Sequence, residues 1–202
     1  FNELNKPFFG INFGSVGFLM NSASNKNLEQ IIKNSKSTDL KPLKMIAKDE
    51  NEKIYDSIAY NEVSLMRQSH QASKFQIEIN EITRMNELIC DGVLVSTSAG
   101  STAYNLSAHG SIIPLDSKLL ALTPISAFRP RRWRGALLSE KNTIKINVIN
   151  FQNRKVSVTA DNIEFRNIKE VTIQSSKDKS CKILFDNNHS IEDKILNEQF
   201  QY

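Results

Sequence analysis

Residues 43–47, 53–59, 62–68 and 75–82 alternate apolar with polar side chains. In an extended chain that period of two sends one set of side chains to a core and the other to solvent. Short polar connections, Asn51-Glu52 and Met85-Asn86-Glu87, read as hairpin turns between these runs. Strand-like runs resume at 92–97, 143–151, 155–161, 170–175 and 180–185. So many short strands separated by polar turns predict an antiparallel, β-rich domain with two packed sheets.

The two ends have a different texture. Residues 6–12 form an apolar strand that runs into a turn bearing Gly14 and Gly17, followed by Phe18-Leu19-Met20. A helix is expected over 28–33, with Ser24 or Asn27 as its N-cap. Strand, glycine turn and helix in succession belong to an α/β unit. Residues 101–109 follow Gly100 and suit a helix N-terminus. In the tail, Ile191, Ile195, Leu196 and Gln199 recur at near-helical spacing behind a possible Ser190 cap.

Composition narrows the class. Of the 202 residues, 40% are hydrophobic and 24% charged, which is ordinary for a globular protein with a sizeable core. The net charge of +4 fits a normal surface or a mild attraction for an anionic ligand. Lys and Arg are scattered except between Arg129 and Arg134, which argues against a nucleic-acid partner. Cys90 and Cys181 stand far apart, so neither a disulfide framework nor a zinc site is indicated, and a reducing cytoplasm is the expected compartment. No apolar run approaches the roughly 20 residues a spanning helix needs, so no membrane partner is expected.

Four clusters of residues could carry chemistry. Gly10 to Leu19 places glycines after a strand, where backbone amides can approach a phosphate; the ordinary reading is a tight turn. Asn61-Glu62 interrupts an apolar strand. A carboxylate there can accept from two vicinal ribose hydroxyls and the amide can donate and accept, although edge-strand pairs of this kind are common. The sharpest is Asp91-Gly92, an apolar strand, then Ser96-Thr97-Ser98-Ala99-Gly100-Ser101-Thr102-Ala103-Tyr104. Small side chains let a ligand lie against the backbone, and hydroxyls and free helix amides offer directed hydrogen bonds. Tyr104 can stack on a planar base. The fourth is Phe128-Arg129-Pro130-Arg131-Arg132-Trp133-Arg134-Gly135, which suits phosphate gripping, a subunit contact, or a solvated turn with Trp133 on the core edge. Asp161, an acid at a strand end, is a further ligand-binding or supporting candidate. The three histidines show no metal or dyad spacing, and no nucleophile-elbow or Walker motif occurs.

The third and fourth clusters resemble the NAD kinase family. The resemblance runs through Asp91-Gly92, Ser96 to Tyr104, Ser107, Gly110 and Leu122-Thr123-Pro124-Ile125, with Asn61-Glu62 and the Gly10 to Leu19 segment upstream in the family's order. It implies that Asn61 and Glu62 hold the adenosine side of a dinucleotide, ribose hydroxyls included. It implies an adenine pocket lined by Thr102, Ala103 and Tyr104, with Ser107 nearby. Asp91 would contact the nicotinamide-riboside side, from the same or a neighbouring subunit, with Ser126 near that end. Asp161 would approach the bound dinucleotide late in the β domain.

Three departures from the family's pattern stand out. Ser98-Ala99 replaces the usual Pro-Thr, His109 replaces one glycine of a Gly-Gly pair, and Ile89 stands where some relatives carry a basic residue. The family's Gly-Gly-Asp-Gly motif, whose Asp is taken as general base, has no match. With Phe1 rather than Met at the start, this reads as a chain whose catalytic Asp lies upstream of residue 1.

The resulting expectation is an α+β protein. Residues 1–34 are expected to be the end of an α/β nucleoside-phosphate domain, 35–186 a β-sandwich that binds NAD, and 187–202 a C-terminal helix packing back on the first part. The implied reaction is phosphorylation of the 2′-hydroxyl of the adenosine ribose of NAD to give NADP, from ATP or polyphosphate. A divalent metal such as magnesium would be held by donor phosphates rather than by a protein ligand cluster. A cytoplasmic homo-oligomer, dimer or tetramer, is implied. The rival readings are a non-catalytic dinucleotide-binding fragment, a lipid kinase of the diacylglycerol-kinase type, and an interaction module.

Overall fold

The computed structural model describes residues 6–14, 17, 19–23, 27–131, 133–187 and 200. The expected α+β class holds, with β-structure predominant. At the N-terminal side, two short strands, β1 (Ile11–Asn12) and β2 (Asn21–Ser22), pair in parallel. Helix α1 (Leu28–Lys33) follows, and Asn27 is its cap: its side chain accepts from the Glu29 N–H at 3.0 Å. Ser24, the alternative cap, lies outside the described residues, as do Ser15, Val16, Phe18 and Arg132. The expected helix over 187–202 also falls almost wholly outside them.

Strand β3 (Lys36–Leu40) leads into β4 (Leu43–Asp49), β5 (Ile54–Ala59), β6 (Glu62–Arg67), β7 (Ser73–Ile79), β8 (Ile82–Cys90) and β9 (Gly92–Ser96). A single 3-10 turn (Ala99–Thr102) and the short helix α2 (Tyr104–Ser107) interrupt the strands. Then come β10 (Leu119–Ile125), β11 (Ala136–Ser139), β12 (Ile144–Val148), β13 (Val156–Ala160), β14 (Ile163–Phe165), β15 (Ile168–Ser175) and β16 (Cys181–Phe185).

Two six-stranded sheets result. The first runs β11-β10-β9-β6-β13-β14 and the second β5-β4-β15-β12-β7-β8. Every pairing within them is antiparallel. The alternation read along β4 is realised, with Leu43, Met45 and Ala47 fully buried. Their facing partners include Val63, Leu65, Val93, Val95, Val156 and Val158 of the first sheet, in one continuous core. β3 and β16 pair with each other outside both sheets, and Phe8 bridges to Ile183 beside them.

One turn differs from the sequence expectation. Met85-Asn86-Glu87 is not a hairpin connection but lies inside β8. The turn is at Asn80-Glu81, where φ is 51° and 64°. Two consecutive left-handed residues match the twist of the flanking strands in a two-residue hairpin. Asn tolerates this backbone, but Glu at the second position conceals the usual Asn-Gly signal. Strands β3, β10, β11 and β14 were likewise not predicted.

Candidate functional site on the outer face of the first sheet

The register of the first sheet determines which candidates meet. Glu62 is paired with Ser96, Ser64 with Leu94, and Met66 with Gly92 across β6 and β9. Ser64 is also paired with Thr159, and Met66 with Ser157, across β6 and β13. Directly opposed residues share a face. Since Val63 and Leu65 fill the core, Glu62, Ser64 and Met66 lie on the opposite, outer face. The segment from Ala99 to Gly110 covers part of that face. Asn105 in α2 bonds to Thr123 on β10, and the Tyr104 hydroxyl lies 3.6 Å from the Met66 sulfur.

At one end of the face, a turn holds Asn61 and Glu62. Asp161, just past β13, accepts three backbone N–H donors: Tyr60 at 2.7 Å, Asn61 at 2.9 Å and Glu62 at 3.3 Å. Its own N–H returns to the Glu62 carbonyl at 3.1 Å. Asp161 sits at φ 51°, a left-handed conformation that Asp tolerates better than most residues. The carboxylate expected to approach a dinucleotide is thus engaged by backbone, and it shapes the turn presenting Asn61-Glu62. Asp161→Ala should lower stability by about 3 kcal/mol, since hydrogen bonds to a charged group contribute roughly 1.5–3 kcal/mol each and are not additive. Asp161→Asn, which keeps one acceptor and the φ tolerance, should lose less. Urea unfolding midpoints would read the difference.

Glu62 is the most perturbed group of the site. Burial, then the nearby Asp161 carboxylate, push its pKa up to about 7, partly offset by the Tyr104 backbone amide. Its Oε2 is buried without a hydrogen-bond partner. A buried orphan carboxylate oxygen is costly and calls for an explanation by strain, catalysis or a ligand.

The small-residue loop is built for close approach. Thr97 Oγ1 donates to the Tyr60 carbonyl at 2.6 Å and accepts from the Gly100 N–H at 3.0 Å. The Thr97 N–H donates to the Asn61 carbonyl at 2.9 Å. A Cβ at Gly100 would fall 2.2 Å from that same carbonyl oxygen. Glycine is therefore required by backbone contact between the loop and the Asn61 turn. Beyond it, Thr102 and Ala103 are half-buried, and Tyr104 and Ser107 are exposed. The Tyr104 phenol is raised in pKa by burial, then by Glu62 and Asp91. Tyr104 thus stretches from the Glu62 end toward the Asp91 end.

Asp91 lies at that far end, before β9. Its carboxylate takes the Arg67 Nε donor at 2.6 Å, and its N–H donates to the Ile125 carbonyl at 3.0 Å. Ser126 follows Ile125 at φ 51°. Of the nine sequence-predicted residues, Asn61, Glu62 and Asp161 lie at one end of β6, Asp91 and Ser126 lie by its other end, where the alternation gives them the parity of the core positions, and Thr102, Ala103, Tyr104 and Ser107 are on the covering segment. The four residue steps from Glu62 to Met66 span about 13 Å at ~3.3 Å per residue.

The arginine cluster divides. The guanidinium carbons of Arg129 and Arg131 lie 5.6 and 5.3 Å from the Phe128 ring centre, and Trp133 packs against the core. His109, standing where the resembling family has glycine, is at φ 61°. That backbone suits glycine, so the structure shows what the pattern's glycine would supply.

Sequence reasoning missed Thr97 as a hydrogen-bonding hub, and it missed Asn105 and Thr123. The alternation along β6 could have revealed the face, because Glu62, Ser64 and Met66 are its non-core positions. Separately, a cleft of about 390 Å³ opens among Ser37, Asp39, Ser98, Asp116, Ser117 and Glu140, and contains none of the nine residues. Among the described residues, no three His, Cys, Asp or Glu side chains group as metal ligands, and no helix is long and apolar enough to cross a membrane.

The model of the ATP-NAD kinase C-terminal domain matches residues 60–192, the stretch from the Asn61 turn through the sandwich. The NAD kinase of Rickettsia canadensis (strain McKiel) is 56% identical over 198 residues, covering 98% of this chain and 78% of the relative. That of Rickettsia rickettsii (strain Sheila Smith) is 55% identical over the same coverage. Among solved structures, yeast NADH kinase complexed with NADH superposes with a TM-score of 0.83 at 23% identity, over 95% of this chain and 57% of that one. An NAD kinase from Archaeoglobus fulgidus in complex with ATP gives 0.76 at 23% identity, over 95% and 73%. The distant structures share the fold. The domain match and the identity to the Rickettsia enzymes, over nearly all of the chain, establish that it belongs to the NAD kinase family.

Proposed function

We propose that NAD lies along the outer face of the first sheet, and that the protein phosphorylates the 2′-hydroxyl of its adenosine ribose to give NADP. The observation that carries this reading is the Glu62 carboxylate, whose Oε2 is buried without a partner beside the Tyr104 loop. Ribose hydroxyls are donors that such an oxygen can accept. In this arrangement Asn61 and Glu62 hold the adenosine side, and Tyr104, with Thr102 and Ala103, packs on the adenine. Ser107 lies at the mouth of that pocket. Asp91, oriented by Arg67, and Ser126 face the nicotinamide-riboside end. Asp161 acts mainly by holding the Asn61-Glu62 turn.

ATP is the proposed phosphoryl donor, supported by the ATP complex of the Archaeoglobus relative, with polyphosphate as the alternative. A divalent cation would arrive on the donor's phosphates and neutralise charge during transfer. The residues assigned here bind and orient, and none of them is assigned as base for the 2′-hydroxyl.

Calorimetric titration of NAD tests the site directly. Wild-type protein should bind NAD, and Glu62→Ala/Tyr104→Ala should lose at least about 30-fold in affinity, since buried polar contacts and base stacking each contribute roughly 1–3 kcal/mol. A folded wild-type protein that ignores NAD would sink the reading. NADP formation from ATP and magnesium, followed enzymatically, tests the reaction itself.

A further inference from the structure

The face that presents Tyr104 is held together by a buried side chain the sequence reading passed over. Asn105 is 0% exposed and lies in α2, directly after Tyr104. Its Nδ2 donates to the carbonyls of Ser101 at 3.1 Å and Ser111 at 3.0 Å. Its Oδ1 accepts from the Thr123 hydroxyl at 2.7 Å. Thr123, 2% exposed, is on β10, three residues before Ser126. One amide therefore closes the covering segment on itself and ties it to the strand that ends at the far end of the site.

Gly110 makes room for this pair. A Cβ there would fall 2.1 Å from Asn105 Oδ1 and 2.6 Å from Thr123 Oγ1. The Gly110 N–H also donates to the Asn105 backbone carbonyl at 2.8 Å. The retained glycine thus leaves room for a buried side-chain hydrogen bond. Helix α2 has only four residues, too few to hold its own position on the sheet by helix formation alone. The Asn105–Thr123 bond is the buried polar link that orients it.

We infer that Thr123 and Asn105 are positioning residues for Tyr104, and so set NAD affinity without touching the ligand. This rests on the proposed NAD site. Burial makes the pair a sensitive point, because removing the hydroxyl leaves Asn105 Oδ1 orphaned inside the protein. Thr123→Val keeps the shape and removes the donor, while Thr123→Ser keeps the donor.

The test compares wild type, Thr123→Ser, Thr123→Val and Gly110→Ala, each below its unfolding temperature. Amide hydrogen exchange over residues 101–109 and NAD affinity are read on each. Thr123→Val should bind NAD about tenfold more weakly and exchange faster across 101–109, with Thr123→Ser close to wild type. Gly110→Ala, which wedges the pair apart while leaving both groups in place, should reproduce Thr123→Val. The inference is overturned if folded Thr123→Val binds NAD and exchanges as wild type does. It is also overturned if Thr123→Val and Gly110→Ala both fail to fold while Thr123→Ser is intact, which would make the bond a requirement of folding alone. Failure of wild type to bind NAD, with faster exchange still seen in Thr123→Val, would count against the proposed function and not against the positioning link.

Discussion

NAD should bind about tenfold more weakly at pH 6 than at pH 8, and Glu62→Gln should bind weakly at both, with no such slope. The Glu62 pKa of about 7 leaves roughly a tenth of the molecules ionised one unit below it. If ribose hydroxyls bind the carboxylate, apparent affinity scales with the ionised fraction. Stability should move the other way. The folded-state value lies above the ordinary 4.5, so between pH 4.5 and about 7 the folded protein holds more protons than the unfolded chain. The stabilising contribution is complete below pH 4.5 and is lost as pH rises through about 7. A fully buried group with this shift would contribute about 3 kcal/mol at ~1.36 kcal/mol per pKa unit. Partial solvent access reduces that to about 1–2 kcal/mol. Glu62→Gln should therefore raise the thermal midpoint at pH 8 while abolishing tight NAD binding. Paired melting curves and titrations from pH 5.5 to 8.5 read both slopes. An unchanged NAD affinity across that range would show that the ionised Glu62 carboxylate is not what the ligand engages.

Gly100→Ala should be the most damaging single-carbon change in the site. The added Cβ would stand 2.2 Å from the Asn61 carbonyl oxygen, 2.4 Å from its carbon and 2.6 Å from Asn61 Cα. All three are backbone atoms in a turn already held by Asp161 and Thr97, so no side chain can rotate to relieve the contact. Overpacking of this kind costs about 3 kcal/mol. At about 2–4 °C per kcal/mol for a chain of this size, the thermal midpoint should fall by roughly 6–12 °C. The loop carrying Tyr104 would be displaced from Asn61 and Glu62, so NAD affinity in the folded variant should drop by about 100-fold. Gly14→Ala is the matched control. Among the described residues its Cβ would meet Asn12 Oδ1 at 3.5 Å, an ordinary contact, and it should leave both readings nearly unchanged. If Gly100→Ala melts and binds as wild type does, the loop and the turn are not locked together as described.

Much of this protein was determined by local sequence. Alternation along residues 43–47 and 62–68 requires a strand with one buried face, because a pleated chain has a period of two. The Ser96 to Tyr104 run announces a close-approach loop, because small side chains are what let a ligand or another backbone come near. Asn61-Glu62 was visible as a polar interruption of an apolar strand, which the structure breaks there into β5 and β6, Asp91 as the acid ahead of a strand, and Asp161 as an acid at a strand end. Their roles were not. Whether Asp161 faces a ligand or the Asn61 turn depends on β13 lying beside β6, two strands about 90 residues apart in the chain. The rise of the Glu62 pKa needs that same pairing together with the cover supplied by the Tyr104 loop. Asn105 looked like one more polar residue until β10 brought Thr123 beneath it. Local periodicity sets which side of a strand is wet. Only the order in which distant strands pair decides which polar groups meet on that side, and that order is chosen by the core as a whole.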